Sequence, residues 1–319
     1  MTDSLRISIL INNYNYASFL QDAIDSALQQ PHRNVEVVVV DDGSSDNSDE
    51  VIAAYGSQIV PVLKQNGGQA SAFNAGFAAS TGDIVCFLDA DDYFSEGKLA
   101  RVLEMWKTYP DAGWLFHALD DVDESGCRLG AIAPLASGYV DYRLTMLNGQ
   151  NLPAFPATTG LCFRREVLAK VLPMPEDIRI SADQFLRLSA AFLSPGMLLS
   201  EAIAVHRIHG KNLFAAREDT AVLSADTNLK AAYHLRSRFP KIKSFANGMF
   251  AHALGQLLAR KGVRGSLRLP EAQAYIRAYW TVDVWLSGGA RTLYNFFKTS
   301  FKACYFKLFD IGAARQTPA

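Results

Sequence analysis

Four short apolar runs rich in branched residues, Ile7–Ile11, Val35–Val40, Ile59–Leu63 and Ile84–Leu88, each close on a cluster of Asn, Asp or Gly. The clusters are Asn12, Asn13, Tyr14 and Asn15; then Asp41, Asp42 and Gly43; then Asn66, Gly67 and Gly68; then Asp89, Ala90, Asp91 and Asp92. Between the runs, Phe19, Ala23, Ile24, Ala27 and Leu28, and later Ala70, Phe73, Asn74 and Phe77, recur at helical spacing. Strand and helix alternating in this way predict a parallel sheet covered by helices on both faces. In such a sheet ligands bind beyond the carboxyl ends of the strands. One cluster alone is ordinary turn chemistry; four on one edge point to a binding site.

The pattern then changes. Ala112–His117, the acidic stretch Asp120–Glu124 with Gly126, and Arg128–Ile132 predict a strand and an edge hairpin, so the sheet becomes mixed. A Pro- and Gly-rich loop, Leu152–Gly160, leads to a strand at Thr159–Phe163, a helix at Ala182–Phe192, a strand at Met197–Val205 and a compact polar segment, His206–Asn212. From about Arg217 the pattern is helical, with Pro240 and Pro270 as breaks. The expected organisation is an α/β domain over 1–215 and a helical region over 216–319.

With 31 Lys and Arg against 32 Asp and Glu, the chain has no bulk charge to attract nucleic acid. It has no run of 18 apolar residues to span a bilayer and no basic-then-apolar start. The cysteines, Cys86, Cys127, Cys162 and Cys304, are widely spaced and read as free thiols, which suits a cytoplasmic setting.

Among the clusters, Asp89 and Asp91 lie two apart on extended backbone, so both carboxylates approach one cation from the same side. Oxygen ligands favour magnesium or manganese, which keep sites open for diphosphate oxygens. Helix capping is the plainer explanation of Asp91 and Asp92. Neither a Gly-x-x-x-x-Gly-Lys loop nor a Gly-x-Gly-x-x-Gly after the first strand is present, which removes the P-loop and dinucleotide readings.

Ile9–Gln29, Val37–Ser48 and Gly67–Phe94, in that order, resemble the donor-side blocks of family 2 glycosyltransferases, which have the GT-A fold. The resemblance implies inverting transfer from a nucleoside diphosphate sugar, with a UDP-sugar as first choice. Asn12, Tyr14, Asn15, Asn66 and Asn74 would then border the donor, with Asp41 and Asp42 at the base, Asp89 at the ribose, Asp91 on the metal, and Gly67 and Gly68 allowing close approach. Ile180–Phe185 is similar to the block that carries the base, which makes Asp183 the group that takes the acceptor proton. Val205–Asn212 resembles the segment that closes the catalytic domain, so Arg207 would reach the diphosphate and His209 the metal. Thr158, Thr159 and Gly160 would shape the acceptor pocket. Ala182 stands where the family usually has Glu, and Phe73 where Arg is common.

The implied acceptor is a saccharide or a lipid-linked chain in surface polysaccharide synthesis. A non-catalytic nucleotide-binding or assembly protein is the alternative that Ala182 and Phe73 motivate. A sugar nucleotidyltransferase would need a Gly-rich basic loop, which Asn12–Ala17 is not. Residues 291–309 carry an aromatic stripe, Phe297, Phe301 and Tyr305, flanked by Lys298, Lys302 and Lys307. That stripe suits a core or dimer face, or else a peripheral contact with the inner face of the membrane.

Overall fold

The computed structural model describes residues 5–132, 137–212, 219–267 and 273. The chain forms two compact units, one of Met1–Leu144 with Leu152–Ala216, the other of Thr145–Asn151 with Arg217–Ala319. In chain order the elements are β1 (Ile7–Asn13), α1 (Ala17–Leu28), β2 (Val35–Asp41), α2 (Ser48–Ala54), β3 (Val60–Leu63), α3 (Gln69–Ala79), β4 (Ile84–Asp89), β5 (Tyr93–Phe94), α4 (Lys98–Thr108) and β6 (Trp114–Asp123). There follow β7 (Arg128–Ile132), β8 (Gly138–Val140), α5 (Arg143–Leu147), β9 (Leu161–Arg164), α6 (Arg165–Leu168), α7 (Asp183–Leu193), β10 (Gly196–Ile208), α8 (Thr220–Arg238) and α9 (Lys243–Leu267).

One sheet runs β3-β2-β1-β4-β9-β6-β10-β5, with β7 beside β6 and β8 beside β10. Strands β3, β2, β1 and β4 are parallel. Strand β9 is antiparallel to both β4 and β6, while β10 is parallel to β6. The carboxyl ends of β1, β2, β4, β6 and β10 therefore share one edge. Because β9 is reversed, its start lies on that edge, which brings the turn Thr158–Gly160 to the end of β4.

Strand β1 is buried along its whole length, as a strand covered on both faces must be. Ile7, Ile9, Ile11, Val37 and Val39 pack with Leu20 and Ile24 of α1 and Leu99, Val102 and Trp106 of α4. An aromatic series also fills the core: Phe73 of α3 meets Phe87, which meets Phe163, which meets Phe116, stacked on Trp114.

Two expectations change. The acidic stretch read as the turn of a hairpin is largely strand, since β6 runs on to Asp123. Its carboxylates have cross-strand partners: Arg128 binds Asp120 at 2.6 Å and His206 binds Asp121 at 2.9 Å. The same pairing carries β10 past Val205 to Ile208. Cys86 and Cys162 are buried free thiols, but Cys127 is exposed.

In the second unit, α8 and α9 pack through Ala225, Leu229, Ala232, Phe250, Ala253, Leu254 and Leu257. Pro240 opens the short turn between them, which is the break its fixed φ predicts. Among the described residues no helix is long and apolar enough to cross a membrane. Pro270, Cys304 and the 291–309 stripe lie outside the described residues.

Candidate active site

The turn after β1 and the turn after β2 hold each other. Asn13 donates from Nδ2 to Asp41 Oδ1 at 2.7 Å and to Ser44 Oγ at 3.2 Å. Ser44 donates to Asp41 from its backbone N–H and its hydroxyl. Asn15, in the left-handed region at φ 61°, accepts the Ser45 N–H on Oδ1 at 2.7 Å, and short polar Asn is one of the few non-glycine residues suited to that conformation. Tyr14 is half-buried in the same turn.

Asp42 is committed more completely. Its Oδ1 accepts the Gly67 N–H at 2.9 Å and pairs with Lys64 Nζ at 2.6 Å, and its Oδ2 accepts the Gly68 N–H at 2.7 Å. Asn66 donates from its side chain to the Asp42 carbonyl at 3.0 Å. The carboxylate thus shapes the 66–68 loop. Gly68, at φ 86°, has Arg179 backbone where a Cβ would stand, 2.9 Å away. What approaches Gly68 closely is the chain itself.

Asn12 is different. It pairs in register with Val40 and Asp89, is only 8% exposed, and neither atom of its side-chain amide has a partner. Asn13 Oδ1 is also buried without one. Buried polar atoms without partners cost free energy, and here they sit at the carboxyl ends of the central strands.

Beside them is a carboxylate cluster. Burial first, then the charges of Asp91, Asp92 and Asp183, push the Asp89 carboxyl well above its ordinary value, against a hydrogen bond from Thr158. Asp92 is fully buried and likewise pushed up, by burial and then by Asp91. Asp91 accepts on Oδ2 from His209 Nε2 at 3.1 Å and Asn212 Nδ2 at 3.0 Å. His209 Nδ1 accepts the Lys211 N–H at 3.2 Å, which puts the ring proton on Nε2. Phe19 stacks on the imidazole at 4.5 Å and Tyr16 meets it edge-on at 5.6 Å, so its plane is fixed from two sides.

Asp91 and His209 could hold a divalent cation as a two-residue site once the Nε2 proton left, because Nε2 here donates to Asp91 and Nδ1 accepts from Lys211. Among the described residues no group of three or more His, Cys, Asp or Glu is placed to hold a metal. A cation there would take its other ligands from water and substrate oxygens, as magnesium and manganese do. The concentration of buried, mutually repelling carboxylates is the structural reason to expect positive charge at this place.

Asp183 begins α7, is 6% exposed, and lies close enough to Asp89 for their charges to interact. Arg187, one turn later, reaches its carboxylate at 3.3 Å and also binds the carbonyls of Phe155 and Pro156.

Three of the expected site elements have bonds within the chain. The Asn74 amide donates to the Met174 carbonyl at 2.9 Å and Glu176 at 3.2 Å and accepts the Met174 N–H at 2.8 Å, pinning that segment to α3. The Arg207 guanidinium donates from one terminal nitrogen to Asp22 and lies over Tyr93 and Phe19, on the α1 side, while its other terminal nitrogen is buried without a partner. Thr158, Thr159 and Gly160 are buried, which leaves them little surface to offer an acceptor. Thr159 instead accepts the Asp89 N–H and donates to Asp92, and Lys98, buried over the Phe94 ring, binds the Thr159 carbonyl at 2.9 Å. A Cβ on Gly160 would lie 2.8 Å from the His117 carbonyl.

Sequence reasoning gave Asp92 only a helix-capping role and gave no role to Asn212, Gln69 or Arg187. Asp92 and Asn212 lay inside the motifs already singled out. Gln69 and Arg187 carried only the signal of being polar residues at the start or first turn of a helix next to those motifs.

The sheet order, its one reversed interior strand and the carboxylates along its carboxyl edge define the GT-A class of α/β fold. The chain belongs to glycosyl transferase family 2, whose sequence profile matches residues 8–172. It is 43% identical over 215 residues to an uncharacterized glycosyltransferase of a Nostoc species, alr2836, covering 65% of this chain and 66% of that protein. The chain thus spans just under two thirds of that relative's length. The fold resembles Staphylococcus aureus TarS 1-349, solved in complex with UDP-GlcNAc, at TM-score 0.58 and 18% identity over 85% of this chain and 78% of that one. It also resembles the mannosyltransferase PcManGT of Pyrobaculum calidifontis, solved with GDP-Man and Mn2+, at TM-score 0.53 and 18% identity over 97% and 89% of the two chains.

Proposed function

We propose that this chain is an inverting, divalent-cation-dependent glycosyltransferase that moves a sugar from a nucleoside diphosphate sugar, a UDP-sugar first, to a saccharide or lipid-linked acceptor in surface polysaccharide synthesis on the cytoplasmic side. Residues 1–215 would be the catalytic domain and 216–319 a helical region. The carrying observation is the cluster of buried Asp91 and Asp183 with half-buried Asp89 beside His209, at the sheet edge where Asn12 keeps an unpartnered amide. Membership of the family and the fold shared with proteins solved with UDP-GlcNAc and GDP-Man support this reading.

In this reading Asn12, with a donor and an acceptor both free, meets the polar edge of the base or ribose, and Asp89 lies on the ribose side. A cation at Asp91 and His209 supplies charge neutralisation for the departing diphosphate. Asp183 accepts the acceptor's hydroxyl proton as that oxygen bonds to the anomeric carbon. The bond from that carbon to the diphosphate oxygen breaks, and the nucleoside diphosphate leaves with the electron pair. Arg187 holds the Asp183 carboxylate in place.

The test is calorimetric titration of UDP, GDP, dTDP and CDP with and without manganese, repeated on Asp91→Ala. Manganese-dependent binding of one nucleotide that disappears in the variant is the expected result. If none binds, the site assignments fail and a non-catalytic role gains.

A further inference from the structure

Gln69 stands at the start of α3, directly after the donor-side loop, and each of its polar groups bonds a different part of the site. Its backbone N–H donates to the Arg179 carbonyl at 2.9 Å. Its side-chain Oε1 accepts the Ala182 N–H at 2.7 Å, and its Nε2 donates to Thr158 Oγ1 at 3.3 Å. With its oxygen accepting from Gln69, the Thr158 hydroxyl has its proton for the hydrogen bond it makes with Asp89. One amide thus joins the residue before Asp183 to the residue that touches Asp89.

The joint falls where the backbone is strained. Ser181 has φ 53°, a left-handed conformation that a side chain other than Gly, Asn or Asp rarely adopts. Such conformations persist where surrounding contacts over-determine them, and they cluster at functional sites. Here the contacts on either side of Ser181 come from the donor-side loop: Gln69 holds Arg179 and Ala182, and Arg179 reaches Asn66 with its guanidinium. Asp42 in turn fixes that loop through Gly67 and Gly68.

We propose that Gln69 is a positioning residue for the proton acceptor: it clamps the strained Ser181 turn and thereby sets where Asp183 stands relative to Asp89. The inference rests on the reading of Asp183 given above. Its consequence is that the donor-side loop and the proton acceptor move as one body. A displacement of the turn would misplace the base without removing any group that touches nucleotide.

The test compares Gln69→Met, which keeps length and loses both amide bonds, with Gln69→Glu, which keeps an acceptor for the Ala182 N–H. In nucleotide-free protein, hydrogen exchange of the peptide spanning 179–186 should rise about tenfold in the Met variant and stay near wild type in the Glu variant. Unchanged exchange in Gln69→Met overturns the clamp. With the donor chosen by the nucleotide titrations, kcat of Gln69→Met should fall on the order of tenfold to a hundredfold while nucleotide Kd and donor KM stay within about twofold. A parallel loss of nucleotide affinity would instead make Gln69 a donor contact and overturn the proposal. Asp183→Asn, measured alongside, separates the two ideas: if it turns over like wild type, the base assignment has failed whatever the exchange data show.

Discussion

The residue whose assignment the structure alters most is Asp42, and Asp42→Asn separates its two roles. As a base contact alone, Asp42 would lose nucleotide affinity on substitution and leave the empty protein intact. The structure predicts the reverse emphasis. The carboxylate is buried and accepts two backbone N–H groups, from Gly67 and Gly68, on different oxygens, while Lys64 pairs with Oδ1. An amide offers one acceptor oxygen, so one N–H would face an NH2 group. Losing one charge-assisted bond of about 1.5–3 kcal/mol and leaving a half-buried N–H unpaired, toward the low end of about 1–3 kcal/mol, gives a cost of roughly 3 kcal/mol once partial relaxation is allowed. For a domain of roughly 150–250 residues that is a Tm lowered by about 6–12 °C. The assay is thermal unfolding of nucleotide-free protein followed by tryptophan fluorescence, with Lys64→Met separating out the ion pair. A fall of under about 2 °C for Asp42→Asn would refute the clamp and return the residue to the nucleotide.

Three further outcomes are expected. Asn12→Ala should leave Tm unchanged or raise it, because it removes a buried amide with no partners, yet weaken nucleotide binding about tenfold in calorimetry; a marked loss of stability would show that the amide has partners in the folded state. Asp92→Ala should cost about 2–4 kcal/mol in urea unfolding, since it strands the Thr159 hydroxyl and the Arg207 N–H in a fully buried place, whereas Asp92→Asn should cost under about 1 kcal/mol, and equal effects would contradict this bonding. Burial alone would raise the Glu36 carboxyl, but bonds from Ser8 and Thr81 and the charge of Arg6 outweigh it and hold the group below its ordinary 4.5. An acid depressed in the folded state stabilises above its unfolded value and loses that stabilisation as pH falls through the folded one. The stability gap between wild type and Glu36→Gln should therefore be full at neutral pH and close below about pH 4.5; parallel stability curves would refute it.

Much of the site's location was legible because apolar runs that end in Asn, Asp and Gly announce strand ends, and Asp41, Asp42, Asp89 and Asp91 all end on the expected edge. The individual bonds were not. Asp42 meets N–H groups 25 and 26 residues further on, in a loop whose path depends on Arg179. Asn74 recurs at helical spacing in a recognised block, and nothing local reveals that its amide is needed by Met174 a hundred residues away. Strand β5 has two residues, too few for any period to register, though it sets Phe94 over the core and Tyr93 under Arg207. The acidic end of β6 defeated pattern reading because the partners of its carboxylates, Arg128 and His206, lie on its neighbours.

A different criterion sorts the polar residues of the carboxyl edge better than their type does: whether their hydrogen-bonding capacity is already committed within the chain. Asp41, Asp42, Asn15, Asn74, Asp92 and Thr159 have bonds that shape the loops around them. Asn12, Asn13 Oδ1, one terminal nitrogen of Arg207 and the raised carboxyl of Asp89 remain unsatisfied, by partner or by charge. The first group resembles a frame, conserving backbone geometry whether or not a ligand is present, and substitutions there should appear as lost stability. The second group destabilises the empty protein. Folding tolerates that cost when the missing partners arrive with a ligand; under the function proposed above these atoms would meet the base, the ribose, the diphosphate and the cation, and substitutions there should appear as lost affinity with stability intact. Asp183 falls between the two groups: Arg187 and the Ser181 turn fix its position, while its charge still acts on Asp89. A residue so placed should show its loss in turnover, before either stability or nucleotide affinity changes.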